Sequence, residues 1–270
     1  MTEETEPDSP GDSAHRDLLT LGPWMDSTPP AGWGKDQISR AINAAHANAQ
    51  AFFAFLPAEY GRLTAINDEL RKLSMISTPM LRHPREAQLA LRTSVQYQSA
   101  AHDLMEFRIY ESSSSVRATI ECAGYTLLLM SEPGVSAAWH KRHQGRTERK
   151  AAQQAMKVAA VRAAVRLHCG RVADNFDEVY ESSIDLGAHP NLEGLQRTST
   201  ARSGHGGIAL GSPPFTNRIE EIRRQCCLVE KAGVVSAELL DVALSGYRNG
   251  PSQSTLVTDY LARTGIFAGP

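Results

Sequence analysis

The sequence predicts an all-α protein, a bundle of about six main helices with a small hairpin or an ordered loop inserted near residues 194–211. Three observations carry that expectation. Apolar residues recur in steps of three and four, as on one face of a helix, and do not alternate as along a half-buried strand. The stretch from Arg149 to Asn191 keeps this spacing through Val158, Val161, Val165, His168, Val172, Phe176 and Val179. Pro57, Pro79, Pro84, Pro133 and Pro190 fall between the periodic segments, where proline is tolerated.

Composition sets outer limits. A chain of 270 residues, 41% hydrophobic and with net charge -2, can bury a sizeable core and leaves no global basic footprint for nucleic acid or membrane. No apolar run approaches the roughly 20 residues that span a bilayer, and the acidic start MTEETEPDSPGD lacks the apolar centre of a secretory signal. Cys122, Cys169, Cys226 and Cys227 do not form a disulfide framework, so reduced thiols and a cytoplasmic location are expected. There is no HExxH, no four-ligand zinc spacing and no GxSxG elbow, and Gly204-His205-Gly206-Gly207 lacks a β-α context. Neither a metal nor a cofactor is expected.

Residues 1–33 hold five prolines and seven acids against one arginine. Such a stretch cannot bury enough apolar area to offset chain entropy and reads as a disordered acidic tail. A helical-bundle domain follows over 34–249, then a C-terminal tail over 250–270 with one weak helix from Leu256 to Arg263. Within the domain, Ile38, Ile42, Ala45, Ala49, Phe52, Phe53 and Leu56 mark a first helix ending at Pro57. Tyr60, Leu63, Ile66, Leu70 and Leu73 mark a second, which ends before Pro79. A third starts near Pro84, a residue suited to a first helical turn, and runs to about Tyr110. Ser112–Ser115 interrupt the pattern and offer N-caps for a fourth, Val116 to Met130. Its second half is apolar on every side, which places it centrally. A short helix around Ser136–His143 precedes the long one, read as unbroken from Arg149 until Gly187 and Pro190 stop it. Thr216 caps a last long helix with Ile219, Ile222, Cys226, Val229, Leu240 and Leu244 on its seam.

Three polar features stand out. Between Lys141 and Arg171 there are nine basic residues and one acid, whereas between Val172 and Gln196 there are six acids and no lysine or arginine. For a single helix this polarity opposes the macrodipole. It reads as a solvated face, or as the contact for an antiparallel partner of opposite polarity, either another protein or a second copy of helix 149–187 in a dimer. Arg117 and Glu121 lie one turn apart in the weaker orientation for a surface pair, on a stripe that continues through Gly124 and Leu128, so a partly buried pair is expected. Finally, Tyr180, Ser183, Asp185, His189, Pro190 and Asn191 form the end of the long helix. Pro190 keeps His189 extended just beyond the helix terminus, with Asp185 and Glu181 one or two turns back, as for a structural tie or an anion contact.

The Arg117-x-x-x-Glu121 helix, Trp139 after a Pro-Gly turn, and the Tyr180-x-x-Ser183-x5-His189-Pro190-Asn191 ending resemble those of uncharacterised bacterial all-helical families. These are similar to the broader HEPN group of toxin–antitoxin, phage-defence and nucleotidyltransferase-partner proteins. The likeness covers roughly residues 35–250 and implies a helical bundle. HEPN ribonucleases resemble one another in an arginine and a histidine separated by four to six residues, which cleave RNA without metal. Arg162 with His168 fits that spacing, and so does Arg40 with His46. With 22 arginines and nine histidines, chance predicts about two such matches, so the spacing carries little information. His168 lies near the apolar seam and reads as a core histidine, with Arg162 projecting about 120° away.

The expectation is therefore an interaction or regulatory module of the cytoplasm. Its polar cluster would consist of Arg117, Glu121, Tyr180, Asp185, His189 and Asn191. The alternative is a metal-independent ribonuclease using Arg162 and His168, with RNA as its partner. No membrane association is expected.

Overall fold

A computed structural model describes residues 29, 31–76, 84–188, 200–204, 207–211 and 215–245. Most of the acidic tail, the weak helix at 256–263, His189 and Asn191 lie outside them. The chain divides into two units, Met1–Ala44 and Ala45–Pro270. In the first, Asp36 caps the start of α1 (Gln37–Phe55) by accepting from the Ser39 amide at 2.9 Å, and the Trp33 indole donates to Asn43 at 2.8 Å. Ile38 and Ile42 are exposed, so the first helix's apolar seam reaches the core only from Ala45 onward, through Phe52 and Leu56.

The second unit is an all-α bundle. After α1 come α2 (Pro57–Ile76), α3 (Pro84–Met105), α4 (Ile109–Ser131) and α5 (Pro133–Lys141), then α6 (Arg146–Ala155), α7 (Val158–His168), α8 (Ala173–Ser183) and α9 (Ile219–Ala243). Nine helices, where about six main ones were expected, are present among the described residues. The hairpin alternative near 194–211 is the one the structure takes. Strands β1 (Thr200–Gly204) and β2 (Gly207–Gly211) pair antiparallel, with Thr200 opposite Gly211 and Ser203 opposite Ile208.

The expected single helix over 149–187 is broken twice. Met156 leaves the helical region, Lys157 is extended, and the freed Met156 carbonyl accepts from the Tyr125 hydroxyl at 3.2 Å. At Cys169 the backbone turns again, and a 3-10 turn, Gly170–Val172, leads into α8. A rod of that length would extend about 60 Å at 1.5 Å per residue, whereas a compact body of about 200 residues is only about 40 Å across. Breaking the helix lets Val161, Val165, Val172, Phe176 and Val179 all reach one core. A π turn, Ile184–Ala188, continues from α8 against α4.

The serine run is not a boundary. Ser112 and Ser113 lie inside α4, fully buried, donating to the carbonyls of Ala100 and Ile109, and the Gln225 amide of α9 donates to both hydroxyls at 3.2 Å. The actual turn between α3 and α4 is at Phe107, whose φ of 65° closes α3 with Arg108 donating to the Asp103 carbonyl. Its ring packs beside Phe52, 6.5 Å between centres. Thr216 does not cap α9 directly; Arg218 occupies that position, and Thr216 binds the Arg218 amide and the Glu221 carboxylate.

The central element is α9. Every residue from Val229 to Asp241 is buried, and the helix packs on α2, α3, α4 and α8. At Gly233 the approach is so close that an added Cβ would meet Ile66 at 2.4 Å and Tyr97 at 2.5 Å. Three of its four buried charges are paired outward as follows: Glu230 with Arg62 at 2.8 Å, Lys231 with Glu178 at 2.7 Å, and Glu238 with Arg171.

Candidate functional site

Three of the six residues expected to cluster do meet, around Tyr180. Arg117 and Glu121 are one turn apart on α4, and α8 lays Tyr180 across them because Gly124, one turn further, lets Phe176 and Val161 come close to the α4 backbone. Arg117 Nε donates to Glu121 at 2.9 Å, and its Nη2 donates to the Tyr180 hydroxyl at 3.1 Å. The Arg117 guanidinium carbon is 5.1 Å from the Tyr180 ring centre, and that of Arg162 on α7 is 5.2 Å from it. Phe176 stacks on the same ring at 6.3 Å. Tyr180 is 6% exposed, whereas the Arg117 and Glu121 side chains keep 21% and 29% of their surface. Burial pushes the Tyr180 phenol above its ordinary value, Glu121 adds to this, and Arg117 opposes it. The phenol therefore stays protonated and serves as a hydrogen-bonding post.

Arg162 is held by carboxylates as well as by the ring. It ion-pairs with Asp177 at 2.8 Å and with Glu181, and Arg166 also reaches Asp177. Because Arg162 meets Glu181 while Arg166 meets Asp177, α7 and α8 run antiparallel, and the opposite charges of the split face each other within one chain. The site combines two guanidiniums with the carboxylates of Glu121, Asp177 and Glu181 around one phenol. It offers fixed charges of both signs and hydrogen bonds, and its one phenol is held protonated.

The remaining expected residues are placed differently. Asp185 is exposed in the π turn and makes no ion pair among the described residues; His189 and Asn191 lie outside them. His168 is exposed at the end of α7, which corrects its reading as a core histidine: the helix stops there, so the seam passes to Cys169 and Val172.

The sequence reading missed a second polar knot. Glu86, in the first turn of α3, is fully buried and accepts from the Ser136 hydroxyl at 2.7 Å and bonds His140 Nε2 at 2.9 Å, both on α5. Burial alone would raise the Glu86 carboxyl, but these two hydrogen bonds outweigh it and hold the group below its ordinary value. A negative charge at a helix N-terminus is also favoured by the dipole. The only sequence cue was a glutamate two residues after a helix-starting proline. His102, Asp103 and Glu106 bring ligand atoms within 4.8 Å of one another, as a metal site needs. Arg108, however, lies 3.2 Å from Asp103 and 3.3 Å from Glu106, so a guanidinium already pairs with both carboxylates. Burial raises the Cys122 and Cys169 thiols to about 11 and about 12, which removes them as nucleophiles near neutral pH.

No described helix is long and apolar enough to cross a membrane. Comparison with protein-family models, with curated proteins and with solved structures finds no match to this chain.

Proposed function

We propose that the protein is a cytoplasmic binding module, not a catalyst, which recognises a protein partner or a second copy of itself through the charged face of α4, α7 and α8 around Tyr180. The observation that supports this reading is the closure of the cluster. Arg117 and Arg162 are each tied to carboxylates and to the Tyr180 ring, and the phenol is kept protonated. Such a face supplies fixed charges of both signs for a complementary surface. The outer charges, Arg166 and Glu181, each expose 58% of their side chains and are available to exchange partners. The four free cysteines fit a reducing compartment. The ribonuclease reading, with the HEPN likeness behind it, would require Arg162 to release Asp177 and Glu181 before it could hold a phosphate.

The test pairs two measurements on the purified full chain. Single-stranded RNA is expected to stay intact, and Arg166→Glu with Glu181→Lys is expected to abolish a stoichiometric complex, or a salt-sensitive dimer seen in sedimentation, with the helical fold retained in circular dichroism. RNA cleavage lost in Arg162→Ala or His168→Ala would overturn the proposal, and so would a complex indifferent to the charge reversals.

A further inference from the structure

We propose that α6 is a DNA-binding helix, which lies in the major groove of a B-form duplex and grips its phosphates without reading the sequence. The chain as a whole has a net charge of -2, yet residues 141–157 hold six lysines and arginines against one glutamate. Lys141, Arg142, Arg146, Arg149, Lys150 and Lys157 are all exposed, and none forms an ion pair among the described residues. Arg62, Arg108, Arg117, Arg162 and Arg171, by contrast, are all tied to carboxylates. The one acid of the stretch, Glu148, is half-buried and turns its carboxylate back against Gly145 at the helix start. The outward face is left to the cations.

The helix also stands clear of the bundle. A short turn over 142–145 joins it to α5, it packs mainly against α5, and Ala152 is its one buried residue. At about 100° per residue, Arg149 and Lys150 project to opposite sides of Arg146 and Gln153. A helix about 10–12 Å wide fits a major groove about 12 Å wide, where cations on its two flanks reach both strands. A duplex carries one charge per about 1.7 Å of axis, so a helix about 15 Å long meets phosphates along its whole length. The deep, narrow major groove of double-stranded RNA does not admit such a helix. Other polyanions fit less well. No apolar side chain of α6 is larger than alanine, which leaves nothing to bury in a bilayer. Lysine, half of the six cations, is depleted at protein interfaces. Single strands are held by base stacking, but Trp139, the one phenylalanine, tyrosine or tryptophan between Pro133 and Lys157, is buried, with the Arg142 guanidinium carbon 4.8 Å from its ring centre. This surface shares no residue with the Tyr180 face, and the inference goes beyond the function proposed for that face.

Fluorescence anisotropy of the full chain with a DNA duplex of about 20 base pairs is expected to show micromolar binding at about 50 mM salt, weakened about a hundredfold at about 200 mM. A second duplex of unrelated sequence should bind within about threefold of the first, since the contacts are to the backbone. Arg149→Gln should lower the slope of log affinity against log salt by about 1. Arg146→Glu with Lys150→Glu should weaken binding about tenfold or more. Both side chains are exposed and unpaired, so circular dichroism is expected to show the helical fold retained. No binding at about 100 μM duplex in low salt, or binding unchanged by the charge reversals, would overturn the proposal. So would equal affinity for double-stranded RNA, for single-stranded DNA of the same length, for vesicles of phosphatidylserine and phosphatidylcholine, or for polyglutamate.

Discussion

Arg162 on α7 lies 2.8 Å from Asp177 on α8, and this ion pair joins two antiparallel helices across the turn at Cys169. Both side chains are partly exposed, at 29% and 26%, so the pair is worth about 0.5–1 kcal/mol, not more. A double-mutant cycle with Arg162→Ala and Asp177→Ala, read by urea unfolding, should return a coupling of that size. It should shrink in about 1 M salt, where the Debye length falls to about 3 Å. Zero coupling at low salt would mean the two helices are not held together here.

The Tyr180 phenol should ionise above the ordinary value of 10.0. Its neighbours fix the sign of each change. Removing the positive Arg117 guanidinium in Arg117→Ala should move the phenol further up, and removing the negative charge in Glu121→Gln should move it down. Carbon NMR of the tyrosine ring, with Tyr180→Phe identifying the resonance, reads both shifts. Shifts of the reverse sign would disprove the arrangement.

Two substitutions three residues apart on α9 should have opposite effects. Gly233→Ala places a methyl 2.4 Å from Ile66 and 2.5 Å from Tyr97, deep in the core. It should cost about 1–3 kcal/mol. Ser236 is fully buried and its hydroxyl has no partner among the described residues. Ser236→Ala removes that orphan and improves helix propensity, so a gain of about 0.5–1 kcal/mol is expected. Thermal and urea denaturation measure both.

Glu86 makes acid stability testable. Its carboxyl is held below the ordinary 4.5 in the folded protein, so its contribution is complete above that value and is lost as pH falls through the lower folded one. Glu86→Gln should lose about 1–3 kcal/mol at neutral pH and show a flatter decline in acid than the native protein. A Glu86→Gln curve parallel to the native one would mean the carboxylate is not charged in the fold.

Helix identity was legible because burying one face demands a 3.6-residue period, and the seams of α2, α3, α4 and α9 all carry it. The break between α7 and α8 was written in the charges, not in the hydrophobic pattern. Basic residues before Arg171 and acids after Val172 oppose the dipole of one long helix. Cut at Cys169, the same residues place Arg166 and His168 in the last turn of α7 and Asp174 in the first turn of α8, where dipoles favour them. Ser112–Ser115 misled because serine is as content inside a helix as at its start when its hydroxyl donates back to a carbonyl. The Arg117–Glu121 pair was visible because both residues sit on one helix. Glu86 with His140, 54 positions apart, was not: only tertiary packing brings α5 to the start of α3.

The encased position of α9 has a cost during synthesis. Its interior contacts reach far back along the chain, as in the pair of Arg62 and Glu230, separated by 168 positions. While a ribosome is still making the hairpin, α2, α3, α4 and α8 share no common filling, and the pocket that α9 will occupy is lined with unburied aliphatic and aromatic groups. Contacts that reach this far back along the chain form only after the last helix is made, which prolongs exposure to aggregation. The nascent polypeptide should therefore depend on chaperones until α9 has emerged.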